Sequence, residues 1–124
     1  MSIKWFNKAV IYQVFIDRFN KPDNFLNIPD FLGGNLKGVT GKLEYLQELG
    51  VDIVWLSPFY KTSAYHGYHI TDFKEVDPHY GTTKDLQELI KIVHEKGMHI
   101  IADFVPNHCS VFHPFFVDAL KNEN

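Results

Sequence analysis

Cysteine is nearly absent: Cys109 is the one cysteine in 124 residues, so no internal disulfide can form and a disulfide-stapled secreted scaffold is excluded. An excess of one charge sign is missing too. The 12 Lys and Arg stand against 15 Asp and Glu, a net charge of −3 without long same-sign runs, which leaves no electrostatic footprint for nucleic acid or an anionic membrane. No apolar run approaches the ~20 residues needed to span a bilayer. No N-terminal apolar stretch leads to a small-residue cleavage site, so the expected location is the cytoplasm, with secretion as the alternative if a signal was removed. Gly-rich phosphate loops are also lacking, since "LGGNLKG" (32–38) fits neither GxGxxG nor GxxxxGKS, and nucleotide binding has no support.

What the chain has in quantity is aromatic residues, 15% of the total, many of them beside Gly, Pro and polar residues. Aromatics in loops mark candidate binding surfaces. The remaining composition is ordinary for a globular chain, and the length suits one domain.

Three apolar runs read as strands buried on both faces, over 9–16, 52–56 and 99–104. Val39, Leu43, Leu46 and Leu49 fall on one helical face, with Thr40 as the expected N-cap and Gly50 at the left-handed C-cap position. Thr82 or Thr83 caps a second helix whose stripe is Leu86, Leu89, Ile90 and Val93 and which Gly97 ends. Residues 20–38 and 59–82 read as long loops. "ELGVDIVWLSP" and "EKGMHIIADFVP" repeat one order: helix, Gly, strand, polar residue, Pro. Alternating strands and helices of this kind predict an α/β fold with a parallel sheet, whose long loops gather at the carboxy-terminal strand ends, where ligands bind.

The polar residues expected at that edge are Asp17, Arg18, Ser57, the "YHGYHITD" segment (65–72), Asp103, Asn107 and His108. On spacing alone Asp103 is as readily a loop-ordering carboxylate as a catalytic one, and His108 reads as an ordinary loop histidine. A zinc site from His66, His69, Asp72, His108 and His113 is disfavoured, because the first pair lies in a Gly-containing loop without CxxC or HExxH context. Cys109 has no nucleophile signature around it and reads as idle.

Four stretches, "YQVFIDRF" (12–19), "LKGVTGKLEYLQELGVDIVWLSPF" (36–59), "HGYHITDFKEVDPHYGT" (66–82) and "IIADFVPNH" (100–108), together resemble the start of the catalytic barrel of the α-amylase family of glycoside hydrolases. The resemblance runs from about residue 9 to the end. It implies a partial (β/α)8 TIM barrel, the first three β-strands with their helices, and a retaining reaction on α-linked glucosides by two carboxyl groups ~5 Å apart. It implies that Tyr68 stacks under a sugar ring, that His108 hydrogen-bonds the same sugar, that Asp103 organises the site together with Asp17 and Arg18, and that Asn107 is a calcium ligand. His69 and Asn35 depart from the family pattern, which often has Asp at both places.

The family's catalytic carboxylates come from strands four, five and seven, so the resemblance puts no catalytic residue among these 124. Residues 1–124 are expected to be the N-terminal segment of the barrel domain, ending near the start of an inserted domain after strand three. The parent is expected to hydrolyse α-glucosidic bonds in starch or maltooligosaccharides, with calcium possible only in the full-length protein, and the segment alone to be inactive. Three strands cannot close a barrel, so the inner sheet face is expected to lie open and the segment to self-associate. The alternative function is a non-catalytic sugar-binding or interaction module of the same fold. Expected partners are an α-glucan or maltooligosaccharide, with neither nucleic acid nor membrane.

Overall fold

A computed structural model describes residues 6–21 and 30–122. Its strands are β1 (Ile11–Val14), β2 (Ile53–Leu56), β3 (Tyr60–Thr62), β4 (Ile70–Val76) and β5 (His99–Ala102). Its helices are α1 (Ile16–Phe19), α2 (Leu36–Thr40), α3 (Leu43–Glu48), α4 (Thr83–Glu95) and α5 (Pro114–Lys121), and a short 3-10 turn spans Phe6–Lys8.

The sheet order is β1-β2-β5 and both pairings are parallel. Parallel neighbours need long crossovers, and here helices supply them: α2 and α3 between β1 and β2, α4 between β2 and β5. One face of the sheet carries the core. Val14, Val54 and Leu56 join Leu36, Val39, Leu43, Leu46, Leu89 and Val93 in one buried cluster, the helical members being the apolar stripes of α2, α3 and α4.

The other face is partly open: the expectation of strands buried on both sides holds for β2, whose Ile53 is 1% exposed, and fails for β1 and β5. Ile11 and Ile101, which the register puts on this face, are 42% and 37% exposed. Their partial exposure befits three strands of a wall that only a closed barrel would line on both sides. The strands are also shorter than the apolar runs, because Ile16 already opens α1 and β5 stops at Ala102.

The expected first helix is two helices. Asn35 accepts the Gly38 N–H at 2.9 Å and starts α2 three residues before Val39. Asn is among the strongest N-caps, so the departure from the family's Asp keeps the cap. Thr40 is not a cap: its hydroxyl donates to the Leu36 carbonyl at 3.0 Å. Gly41 and Lys42 then interrupt the helix before α3, Gly being a poor interior helix residue. Gly50 (φ 84) and Gly97 (φ 73) take the expected left-handed positions past the helix ends.

Residues 59–82, expected to be a loop, contain the antiparallel hairpin β3-β4. Its register shifts twice, between Tyr60 and Lys61 and between Lys61 and Thr62, and bulges of this kind erase the period-two alternation by which a strand is read. Of the expected loop 20–38, residues 22–29 lie outside the described residues. Among the described residues no helix is long and apolar enough to cross a membrane.

Helix α4 starts from a reciprocal cap in which Thr82 Oγ1 accepts the Asp85 N–H at 3.2 Å and Asp85 Oδ2 accepts the Thr82 N–H at 2.8 Å. The hydrogen bond from Thr82 holds the Asp85 carboxyl below the usual carboxylate range. Thr82→Ala is expected to lower stability by about 1 kcal/mol, read as a reduced urea midpoint with unchanged slope; an unchanged midpoint would show that the cap contributes nothing.

Candidate functional site

The register Val14 to Leu56 to Ala102 brings three strand ends level, so the residues that follow each strand emerge along one edge. Two of the polar residues expected at that edge, Ser57 and Asp17, are buried. The Oγ of Ser57 accepts the Ile16 N–H at 3.1 Å, so this residue ties β1's exit to β2's and does not line a pocket. A hydroxyl this deep in the sheet finds its partner in the backbone, as buried polar groups do.

Asp17 is 2% exposed. Its carboxylate accepts the N–H groups of Leu32 (3.0 and 3.1 Å) and Gly33 (3.1 Å), and the Arg18 Nε lies 3.2 Å away. These contacts neutralise and satisfy a buried charge while pinning the return of the first loop. The Arg18 guanidinium then sits 4.5 Å over the Tyr65 ring, a cation–π contact joining that loop to the hairpin bend.

Tyr68 stands between β3 and β4, and its position is set from four sides. Gly67 before it has φ 82, and a Cβ there would lie 2.2 Å from the Pro58 carbonyl oxygen, so the chain hugs the end of β2 in a way only glycine allows. The Tyr68 hydroxyl donates to Asp103 Oδ2 at 2.9 Å. Its N–H donates to His66 Nδ1 at 3.1 Å. His108 Nε2 lies 3.1 Å from the Tyr68 carbonyl oxygen; since a carbonyl only accepts, Nε2 carries the proton and Nδ1 is the acceptor of the neutral ring. Asn107 Nδ2 approaches that Nδ1 at 3.4 Å, a weak contact.

Tyr68, His108 and Asp103 are therefore brought together. Burial first, and then the hydrogen bond and charge of Asp103, push the Tyr68 hydroxyl pKa up. Burial and the same carboxylate also raise Tyr60, one of several aromatics in the stretch expected to be a loop, where nothing in the spacing sets it apart from the others. Beside the cluster a hollow of about 540 Å³ is lined by residues that include Phe73, Phe104, Pro106, His108 and Cys109.

Asn107, the expected calcium ligand, offers one amide oxygen where calcium takes 6–8 oxygens. Among the described residues no group of three or more His, Cys, Asp or Glu could hold a metal ion, so the set weighed for zinc is not gathered in one place. His113, one of its members, is buried and caps α5 through Nδ1, which accepts the Phe115 N–H at 3.1 Å. His69 lies edge-on to His66, ring centroids 4.6 Å apart.

The model of the alpha amylase catalytic domain family matches residues 13–124. The chain belongs to the α-amylase family. It is 44% identical to Alpha-amylase 2 of Dictyoglomus thermophilum over 97% of this chain and 22% of that protein. It is 36% identical to the oligo-1,6-glucosidase of Parageobacillus thermoglucosidasius over 100% of this chain and 21% of that protein. Among solved structures, the α-amylase from Geobacillus thermoleovorans complexed with acarbose superposes with a TM-score of 0.83 at 47% identity, covering 94% of this chain and 27% of that one. The chain thus spans about a fifth of the length of these curated relatives, and the α-amylase barrel accounts for both the parallel sheet and its open face.

His66 gives the α-amylase segment an acid-sensitive joint. Burial, and then the charge of His69, lower its pKa from the ordinary ~6.5, so the folded state favours the neutral ring whose Nδ1 can accept the Tyr68 N–H. A folded value depressed below the unfolded one makes this contribution present above about pH 6.5 and lost as pH falls through the lowered value. The protection factor of the Tyr68 amide, corrected for intrinsic exchange, is expected to drop over that interval; a flat profile would break the assignment. Gly67→Ala is expected to cost at least about 2 kcal/mol from its positive φ and the clash with Pro58, measured by chemical denaturation.

Proposed function

We propose that these residues are the sugar-gripping N-terminal segment of a retaining glycoside hydrolase that hydrolyses α-glucosidic bonds in starch or maltooligosaccharides. The observation that carries the reading is the joint placement of the Tyr68 ring, the Asp103 carboxylate and the His108 imidazole. A pyranose offers apolar C–H faces and a rim of hydroxyls, which an aromatic plane with polar groups at its edge complements.

The parts divide the work. Asp103 holds the Tyr68 hydroxyl and so fixes the tilt of the ring, leaving Oδ1 to accept a sugar hydroxyl. His108 has committed Nε2 to the Tyr68 carbonyl, so the atom it offers a sugar is Nδ1, reached by displacing the weak Asn107 contact. Asp17 and Arg18 act at one remove, through the first loop and Tyr65. Hydrolysis itself falls to carboxylates that the family resemblance assigns to later strands, so the 124 residues alone bind without cleaving. Their open sheet face, with Ile11 and Ile101 exposed, favours self-association of the isolated segment.

Titration of acarbose into the 124-residue chain, followed by NMR, is expected to shift the Tyr68 and His108 ring signals first. Tyr68→Ala should weaken binding about tenfold, the loss of about 1.4 kcal/mol of ring contact, with no reducing sugar released from maltooligosaccharides by either protein. Absence of any ring shift would sink the sugar-gripping role, and release of reducing sugar by contaminant-free material would sink the division between binding and cleavage.

A further inference from the structure

Asp77 is 1% exposed and belongs to no part of the cluster described above, yet it is the most heavily engaged carboxylate of the hairpin. Its Oδ2 accepts the Thr62 N–H at 2.8 Å, and its Oδ1 accepts both the His79 N–H at 2.8 Å and the His79 Nδ1 at 2.6 Å. Its own N–H donates to the Phe59 carbonyl at 2.9 Å. Thr62, held in this way at the end of β3, reaches across the bend: its hydroxyl donates to the His69 carbonyl at 2.9 Å and accepts the Ala64 N–H at 3.2 Å. His69 is the residue after Tyr68, and its carbonyl also accepts the Ser63 N–H at 3.0 Å.

The same turn grips the bend a second time. Tyr80, 1% exposed, donates its hydroxyl to the Tyr65 carbonyl at 2.6 Å, three residues before Tyr68. The turn's far side meets the first loop, where the Phe31 ring stacks on His79 at 4.1 Å and 16° and Leu36 N–H donates to the Tyr80 carbonyl at 2.9 Å. Both ends of the 65–69 bend are therefore fastened to residues 77–80.

We infer that Asp77 is a positioning residue for the sugar platform, setting the Tyr68 ring through Thr62 and the backbone of His69. This rests on the reading of Tyr68 as that platform. A carboxylate is suited to the task because two oxygens with several lone-pair sites can hold two segments at once, and at this depth the bonds are short and unscreened. Asp77→Asn takes away one acceptor oxygen at constant shape; Thr62→Val, also isosteric, removes the hydroxyl that relays the hold.

The test records the Tyr68 ring cross-peaks of tyrosine-labelled chain by two-dimensional NMR, together with the acarbose dissociation constant, for the unaltered protein and both variants. Expected are displaced and broadened Tyr68 ring signals in both variants, unmoved Leu46 and Leu89 methyl signals, and acarbose binding weakened at least fivefold. Tyr68 signals that stay in place in a folded variant would overturn the inference. Should Asp77→Asn fail to fold, Thr62→Val decides alone. Should the unaltered chain show no response to acarbose, the sugar-gripping reading fails by itself, and the ring signals without ligand still decide whether Asp77 positions Tyr68.

Discussion

The site depends on the level termination of three parallel strands. Ser57 N–H donates to the Val14 carbonyl at 2.9 Å, Asp103 N–H to the Leu56 carbonyl at 3.2 Å, and Ile16 N–H to Ser57 Oγ at 3.1 Å. These bonds carry the ladder one residue past each strand and fix where each loop departs. A slip of one residue would turn every side chain of a strand to the opposite face, sending Val14 and Leu56 out of the core and Asp103 away from Tyr68. Burial of one face therefore sets the chemistry at the edge.

From that edge the loops are built as a chain of supports. Asp17 fastens residues 32–33, Phe31 lies against His79, Asp77 holds Thr62, and Thr62 holds the bend that carries Tyr68. Apart from the Phe31–His79 ring stack, each link pairs a carboxylate or hydroxyl with backbone groups that a loop would otherwise leave unsatisfied. Such loops can be long without being loose, because their backbone partners are side chains in place of ladder neighbours.

What could be read in advance follows from the kind of signal each element sends. Helix α4 was legible from its four-residue apolar stripe and its Thr82 start, and the three parallel strands from their β-branched runs. The group of Tyr68, Asp103 and His108 was legible only as a combination of motifs, since the residues stand 35 and 40 positions apart and spacing gave no reason to join them. The hairpin was illegible because its bulges break alternation and its outward residues Lys61, Lys74 and Glu75 are strongly polar. The start of α2 does not show in the apolar stripe that begins at Val39, because its cap is Asn35, outside that stripe. Asp77 carried a local signal, an Asp-Pro pair shortly before Gly81, which marks a turn whose first side chain bonds to backbone further on. That pattern foretells a turn but not which distant strand the second oxygen will hold.

The electrostatics of the cluster also constrain what it can take. Asp103 raises the hydroxyl pKa of both Tyr68 and Tyr60, burial being the larger cause in each, so both phenols stay protonated across the neutral range. An anionic ligand would face the Asp103 carboxylate directly, with Arg18 turned toward Asp17 and Tyr65. A cation would find one carboxylate already accepting a hydrogen bond and too few further oxygens. A neutral polyol meets neither penalty, because its hydroxyls can donate to Asp103 and to His108 Nδ1 while its carbon face covers the Tyr68 ring. On charge alone the cluster suits a neutral polyol better than an anion or a cation, which supports the reading proposed for it.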